Sequence, residues 1–185
     1  MKKKLTIIVI TLIVVAGGII LGFFMTKKNS PEATVDFESG NLKVSVYYNR
    51  PYKKGRQIFG KLVPFGKTWR TGANETTTFT TNQDLTIGGS LLKAGKYSLW
   101  TVPNQDSWKV IFNSEIPAWG ISPGSGDAAQ DAKYDVLLVQ VPVSVLSSVV
   151  EQFTISIEKI GENNLELIFT WDITKVVVPI DINAQ

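Results

Sequence analysis

The 185-residue sequence contains no cysteine and no histidine. The chain can therefore form no disulfide, no zinc site with the usual Cys and His ligands, and no catalytic dyad or triad that depends on either side chain. The absence of cysteine does not identify a cellular compartment, because an oxidising environment permits disulfides without requiring them. Hydrophobic residues make up 44% of the sequence, which is enough for the core of one domain of ordinary size.

One long apolar run begins at Leu5 and ends at Met25, and its only polar members are Thr6 and Thr11. As a helix with a rise of about 1.5 Å per residue it would be about 31 Å long, which matches the ~30 Å hydrocarbon core of a bilayer. A cleaved signal peptide has a shorter apolar stretch, of about 7–15 residues, followed by small residues. We therefore predict an uncleaved signal-anchor helix, with a cleaved signal as the alternative.

Lysines flank this run on both sides, with three before it and two after it. The excess on the N-terminal side places the N-terminus in the cytoplasm and the rest of the chain outside it. The predicted organisation is a cytoplasmic basic end at residues 1–4, a transmembrane helix at residues 5–25, a polar linker at residues 26–32 and a folded domain at residues 33–181. The predicted location is a membrane that the chain crosses once, with the bulk of the chain in the periplasm.

Charge is unevenly distributed along the predicted domain. Residues 39–74 contain eight basic residues and no acidic residue, whereas residues 75–185 contain six basic and 13 acidic residues. The two parts could attract each other within one fold, or the basic part could offer a surface to an anionic lipid or a polyanion. Residues 29–185 carry a net charge of −2, so we predict no nucleic-acid partner.

Strict alternation of apolar and polar residues dominates the predicted domain. It occurs at Leu42, Val44, Val46 and Tyr48, at Trp108, Val110 and Phe112, at Phe153, Ile155 and Ile157, at Leu165, Leu167, Phe169, Trp171 and Ile173, and at Val176, Val178 and Ile180. Each stripe predicts a strand with one buried face. Turn residues at 39–41, 88–89 and 161–164 separate such runs. About nine short strands indicate an all-β fold, an antiparallel β-sandwich or jelly-roll-like domain behind the N-terminal helix.

Two long regions, residues 51–75 and 113–135, interrupt the strand pattern, and loops of this length are usually functional or disordered. They contain KGRQIFG at residues 54–60, LVPFGKTWRTGANE at residues 62–75 and Trp119-Gly120. Three further strings are AGKYSL at residues 94–99, WKVIFN at residues 108–113, which ends at the first residue of the second region, and VVPI at residues 177–180. Together these strings resemble a bacterial domain-of-unknown-function family numbered 2911, over about residues 33–181. The family is common in Bacteroidetes-type bacteria, often behind an export signal, so the resemblance implies an envelope location and no particular activity.

The turn at residues 69–75 is the most informative candidate site. Gly72 permits a positive φ and Asn74 tolerates one, so a sharp turn could bring Arg70 and Glu75 within ion-pair reach. In a functional interpretation Arg70 grips a carboxylate or phosphate, Asn74 donates to a ligand and Trp69 stacks on a sugar ring. In a structural interpretation, which we favour, Arg70 and Glu75 pair to hold the loop on the domain and Trp69 is its apolar plug.

Among the other tryptophans, the alternation predicts that Trp108 and Trp171 are buried in the core. Trp119 lies in the second long loop beside Gly120, where an aromatic ring can serve as a ligand platform or plug the end of the domain. We predict ligand-binding roles for Trp69, Arg70, Asn74, Glu75 and Trp119.

No arrangement of side chains in the sequence marks a catalytic centre, so we predict no catalytic residue, no cofactor and no metal ion. The function that we predict is non-catalytic binding of a small ligand, a glycan or an envelope protein. The alternatives are a structural or assembly component of the cell envelope and a hydrolase that uses carboxylate residues. A binding protein would show an apolar cleft on which Arg70 and Trp119 converge, whereas an assembly component would show an exposed apolar patch instead.

Overall fold

The computed structural model describes residues 2–182, without the side chains at positions 2, 5–9, 19–21 and 23–25 of its helix. Within these residues there are one α-helix, nine β-strands and a short 3-10 turn. In chain order they are α1 (Lys2–Asn29), β1 (Glu32–Ser39), β2 (Leu42–Asn49), β3 (Thr78–Thr81), β4 (Leu85–Ile87), β5 (Ser90–Leu92), β6 (Gly95–Pro103), β7 (Ser107–Asn113), the 3-10 turn (Ala132–Tyr134), β8 (Asp135–Lys159) and β9 (Asn164–Ile182).

Helix α1 continues beyond the end of the apolar run. Only Ser30 and Pro31 separate it from β1, so the predicted linker at residues 26–32 is wrong. Lys27 and Lys28 extend the last turn, where positive charge is favourable at the negative end of the helix dipole. Pro31 ends the helix because it disfavours the helical conformation of the residue before it.

No helix formed by the described residues combines the length and the hydropathy that a membrane crossing requires. Within the apolar run, the structure describes the side chains of only some residues. Met1, the first residue of the predicted cytoplasmic end, lies outside the described residues. The signal-anchor at residues 5–25 therefore stays a prediction.

The nine strands form one antiparallel sheet in the order β1-β2-β3-β6-β7-β8-β9-β4-β5. The predicted all-β, antiparallel class is confirmed. Strand β8 belongs to two ladders, since it pairs with β7 through Pro142 and with β9 from Val143 onward. A strand that changes partners in this way bends the sheet as it passes from one set of neighbours to the next.

A single core lies between the two ladders. Tyr48 on β2 meets Phe153 on β8 edge to face, with ring centroids 5.8 Å apart, and its hydroxyl accepts a hydrogen bond from the Ile155 amide at 2.9 Å. Trp108 and Trp171 are 1% and 2% exposed, which confirms their predicted place in the core. Burying such aromatic side chains supplies much of the apolar stabilisation of a domain.

The apolar stripe on β9 changes face at Asp172. Its members in the hydrophobic core are at odd positions up to Trp171 and at even positions from Val176 onward. Asp172 has a φ of 56°, and the register with β8 shifts on either side of it. Such an irregularity moves the following side chains to the other face of the sheet. Ile173, which was predicted to continue the buried stripe, is consequently 46% exposed, and the two predicted C-terminal strands form one.

Both predicted long loops are present, and the second covers the outer face of the sheet. Trp100 on β6 is fully buried, and its indole N–H donates to the Ser98 hydroxyl at 2.8 Å. That hydroxyl donates in turn to the Glu115 carbonyl at 2.6 Å, and Asn113 donates to the Asp131 carbonyl at 2.9 Å. The loop at residues 114–134 is therefore held against β6 and β7 by hydrogen bonds.

Candidate functional site

A cavity of about 670 Å³ lies between the end of α1 and the two long loops. Thr26, Asn29 and Ser30 contribute from the end of α1, residues 51–74 supply most of the wall, and Ile121, Gly126 and Ala128 close the far side. Trp171 reaches the cavity from the core. Three of the five predicted site residues, Trp69, Arg70 and Asn74, line it, whereas Glu75 and Trp119 do not.

Trp69 joins the cavity to the core. Its ring stacks on Trp171 with centroids 5.9 Å apart and an interplanar angle of 17°, and it meets Phe153 at 5.0 Å. Its backbone forms a two-way hydrogen-bonded bridge with Thr101 on β6, at 2.7 and 3.0 Å. Trp69 is thus a fixed wall of the cavity and also the apolar plug that the structural interpretation predicted.

The backbone after Trp69 makes a strained turn. Thr71, Gly72 and Asn74 all have positive φ, at 54°, 152° and 56°. A Cβ on Gly72 would lie 2.8 Å from the Asn49 carbonyl oxygen, so a larger residue would not fit there. A β-branched residue with positive φ, such as Thr71, is an outlier that persists only where its surroundings hold it, and such strain is concentrated at functional sites. Here the Thr71 carbonyl accepts from the Thr77 hydroxyl at 2.8 Å.

The predicted ion pair between Arg70 and Glu75 is wrong. The Nε and Nη1 atoms of Arg70 are buried, and neither has a hydrogen-bond partner among the described residues. Burial lowers the pKa of the Arg70 guanidinium below its ordinary value, because a charged group is less favourable away from water. Buried polar groups are almost always hydrogen-bonded in folded proteins, so these two donors are an exception that calls for an explanation.

Glu75 instead faces the junction between α1 and the domain. One carboxylate oxygen pairs with Lys27 Nζ at 2.5 Å, and the other accepts from Asn49 Nδ2 at 3.0 Å. Lys27 also pairs with Glu32 at the start of β1. The turn therefore sends Arg70 and Glu75 to different surroundings, since the positive φ values between them rotate the chain.

Three further cations line the cavity with Arg70, namely Lys54, Arg56 and Lys67. Lys54 Nζ donates to Asn29 Oδ1 at 2.7 Å, and the Arg56 guanidinium donates to the carbonyls of Tyr52 and Lys53. None of the four takes part in the ion pairs found among the described residues. The cavity therefore holds four cations that form no ion pair with a carboxylate of the residues that the structure describes.

One interpretation of the charge pattern expected the basic segment at residues 39–74 to pair with the acidic residues of 75–185. Most of its cations do not form such ion pairs among the described residues. In the part of the chain that the structure describes, only Lys53 forms an ion pair of this kind, with Asp172 at 2.7 Å, whereas Lys43 pairs with Glu38 within its own hairpin. Sequence reasoning did not select Lys54, Arg56 and Lys67 as site residues. The signal that could have found them is the run of eight basic residues without an acid at residues 39–74.

Gly120 places the second loop against Arg70. A Cβ on Gly120 would lie 2.5 Å from Arg70 Cδ and 2.7 Å from Arg70 Cβ, and the Gly120 amide donates to the Asn74 carbonyl at 3.1 Å. Only glycine allows this approach. Trp119 itself is half-buried and lines a second, adjoining cavity of about 610 Å³, which shares Ile121 with the first.

No carboxylate belongs to the described residues that line the larger cavity. Likewise, residues 2–182 contain no group of three or more Asp and Glu side chains placed to hold a metal ion. The chemistry that the cavity offers is consequently that of cations, amides and hydroxyls beside an aromatic wall, which suits recognition of an anion.

A family described as "Protein of unknown function (DUF2911)" matches residues 30–180. The chain therefore belongs to this family, and the resemblance predicted for about residues 33–181 is confirmed. No curated protein and no solved structure is significantly similar to it.

Proposed function

We propose that this member of the DUF2911 family is a membrane-anchored, non-catalytic binding protein whose larger cavity takes an anionic ligand. The observation that carries the proposal is Arg70, of whose guanidinium nitrogens two are buried and have no partner among the described residues. Leaving a buried donor without a partner costs about 1–3 kcal/mol, and more when the group is charged. A cost of this kind is retained where it serves recognition, because an anion at the guanidinium would accept a charge-assisted hydrogen bond from a donor that the fold leaves unpaired.

The surroundings of Arg70 support the same proposal. Lys54, Arg56 and Lys67 line the cavity and form no ion pair with a carboxylate among residues 2–182, so their charges add to one positive field. Gly120 packs against the aliphatic part of Arg70 and limits where its guanidinium can move. A preformed cationic site with little freedom binds at a lower entropic cost than a flexible one.

The membrane anchor is part of the proposal and rests on the sequence of residues 5–25, an apolar run as long as a bilayer core is thick. Helix α1 extends through this run without a break. We propose that residues 1–4 lie in the cytoplasm and that residues 33–181 form a β-sandwich in the periplasm. The passage of β8 from one ladder to the other around a single core supports the sandwich arrangement.

The proposal can be tested with the full chain in dodecyl maltoside micelles. We would measure thermal unfolding of the wild type and of Arg70→Met while titrating inorganic phosphate, citrate and a sulfated oligosaccharide. At least one anion should stabilise the wild type, by about 2.7 kcal/mol at a hundred times its Kd. Arg70→Met should lose this stabilisation.

Without any added anion, Arg70→Met should unfold at the same temperature as the wild type or higher. Methionine keeps the aliphatic contact with Gly120 and removes an unpaired buried charge. Lys61→Gln is the matched control, because Lys61 belongs to the same basic segment and is exposed but does not line the cavity. The proposal fails if none of the three anions stabilises the wild type or if Arg70→Met responds to them unchanged.

An assembly role is a second candidate, and exposed apolar side chains on the two long strands favour it. Val145 and Val149 on β8 are 76% and 56% exposed, and Ile173 lies on the paired stretch of β9. Apolar groups gathered on a surface often mark contacts between proteins. If they do so here, Val145→Lys should lower the oligomeric mass measured by light scattering, whereas a monomeric wild type would argue against self-assembly.

A further inference from the structure

We infer that the anion is the phosphate of an anionic phospholipid headgroup in the membrane that holds α1. This inference rests on the proposed function, since it names the ligand of the same cavity. It is carried by the position of the cavity relative to the helix, by the chemistry of its cations and by an exposed apolar side chain at its wall.

The end of α1 sets the depth of the cavity. Asn29 lines it and lies four residues beyond Met25, which is the end of the apolar run. Four helical residues span about 6 Å, and the headgroup layer on each side of a bilayer is roughly 5–8 Å thick. With residues 5–25 in the hydrocarbon core, Asn29 therefore lies in the headgroup layer, where lipid phosphates are found.

The hydrogen bond from Lys54 to Asn29 brings a cation to the same depth. Because α1 has no break between Met25 and Asn29 and is joined to β1 by two residues, the domain cannot withdraw far from the bilayer. The cavity thus stays next to a surface on which phosphate is concentrated, and even a weak site would be occupied there.

The cations suit a phosphate group better than a single carboxylate. A phosphate offers several acceptor oxygens, which the fork of an arginine and the ammonium groups of lysines can share. Arg70 supplies two donors that have no partner among the described residues. Lys67 is exposed at the cavity wall and takes part in none of the ion pairs that the described residues form.

An apolar side chain beside these cations favours a lipid over a free ion. Leu62 lines the cavity and is 43% exposed, and Phe65 in the same loop is also 43% exposed. A free phosphate has no apolar part that such side chains could contact. A phospholipid has glycerol and acyl carbons directly next to its phosphate, and burying them would remove apolar surface from water.

The test compares lipids with a free ion, using the full chain in dodecyl maltoside micelles and thermal unfolding as the readout. The probes are dioleoyl phosphatidylglycerol, dioleoyl phosphatidylcholine and inorganic phosphate at equal phosphorus concentrations. Phosphatidylglycerol should raise the unfolding temperature more than the other two. Its apparent affinity should fall about tenfold or more in Arg70→Met, since bonds to charged groups are lost, and a few-fold in Lys67→Gln, which removes an exposed charge.

Lys61→Gln should bind phosphatidylglycerol as the wild type does. Equal losses in Lys61→Gln and Lys67→Gln would overturn the inference, because they would indicate attraction by overall charge. Equal effects of the two lipids would overturn it as well. A different outcome is that inorganic phosphate stabilises the chain as much as phosphatidylglycerol, through an effect that Arg70→Met abolishes. That result would support anion binding in the cavity but would contradict the assignment of a lipid as the ligand. If no anion and no lipid had any effect, both proposals would fail.

Discussion

Lys27, in the last turn of α1, forms an ion pair with Glu75 at the end of the strained turn, with a nitrogen-to-oxygen distance of 2.5 Å. The same ammonium group pairs with Glu32 on β1. The helix is therefore joined to the domain by charged contacts as well as by the chain. This junction explains why Glu75 is not available to neutralise Arg70.

Breaking this junction should have a small and local effect. Replacing Glu75 by glutamine removes the ion pair with Lys27 but keeps an oxygen that can accept from Asn49. The free energy of unfolding should fall by about 1 kcal/mol or less, as is usual for partly exposed pairs. Calorimetry of the full chain in detergent would measure the change, with Glu38→Gln as a control on the more exposed pair with Lys43. A larger loss in Glu38→Gln than in Glu75→Gln would contradict this assignment.

Stability should fall in acid partly because of Glu32. The hydrogen bond from Lys27 lowers the pKa of Glu32 below its ordinary value of 4.5. A carboxyl group whose pKa is lower in the folded state stabilises the fold above its unfolded pKa, and this contribution is lost as the pH falls through the folded pKa. Unfolding temperatures of the wild type and Glu32→Gln should therefore converge as the pH drops below 4.5. Curves that stay parallel would show that the pair does not contribute.

Gly120 should tolerate no larger residue. Alanine there would place its Cβ 2.5 Å from Arg70 Cδ, so the loop or the arginine would have to move. We expect Gly120→Ala to lower stability by roughly 1–3 kcal/mol, the usual cost of overpacking, and to weaken anion binding because Arg70 is displaced. Gly161→Ala is the control, since its Cβ would lie 3.1 Å from a movable side-chain oxygen of Asn164. Denaturant titration of both variants would measure their free energies of unfolding. Equal values would contradict the close contact between Gly120 and Arg70.

The change of face on β9 predicts opposite results at two neighbouring positions. Trp171→Ala should cost about 3–5 kcal/mol because it leaves a cavity in the core, where the ring is 2% exposed and stacks on Trp69. Ile173→Ala should change stability by no more than about 0.5 kcal/mol, since that side chain is 46% exposed. If Ile173→Ala lowered the free energy of unfolding as much as Trp171→Ala does, the apolar stripe would continue on the buried face of β9 and the change of face would be wrong.

Charges in the middle of the apolar run should abolish membrane anchoring. Val14 and Val15 are both exposed on α1, and each arginine placed there should cost about 2.5–3.5 kcal/mol at the centre of a bilayer. The double variant should appear in the soluble fraction or fail to be exported, whereas the unchanged chain should stay with washed membranes. Recovery of the unchanged chain as a soluble species that begins near residue 26 would show that the segment is a cleaved signal.

The strands were predictable because each apolar stripe, such as the one from Leu42 to Tyr48, is a local pattern with a period of two. The hairpin turns at residues 39–41, 88–89 and 161–164 were predictable for the same reason, since glycine and asparagine allow sharp reversals. The change of face at Asp172 was not predictable from the sequence. A bulge depends on the register between two strands, and that register is set only when the strands pair in the folded chain.

The all-β class, the family and the candidate turn at residues 69–75 could be predicted from local sequence patterns, and so could the concentration of positive charge in one segment. The tertiary structure alone decided which of those charges find partners. Lys53 meets Asp172 and Glu75 meets Lys27, while Arg70 is left with Gly120 against its stem. Charges interact through space over a few ångströms, so a pairing between residues that are distant in the sequence exists only once the chain has folded.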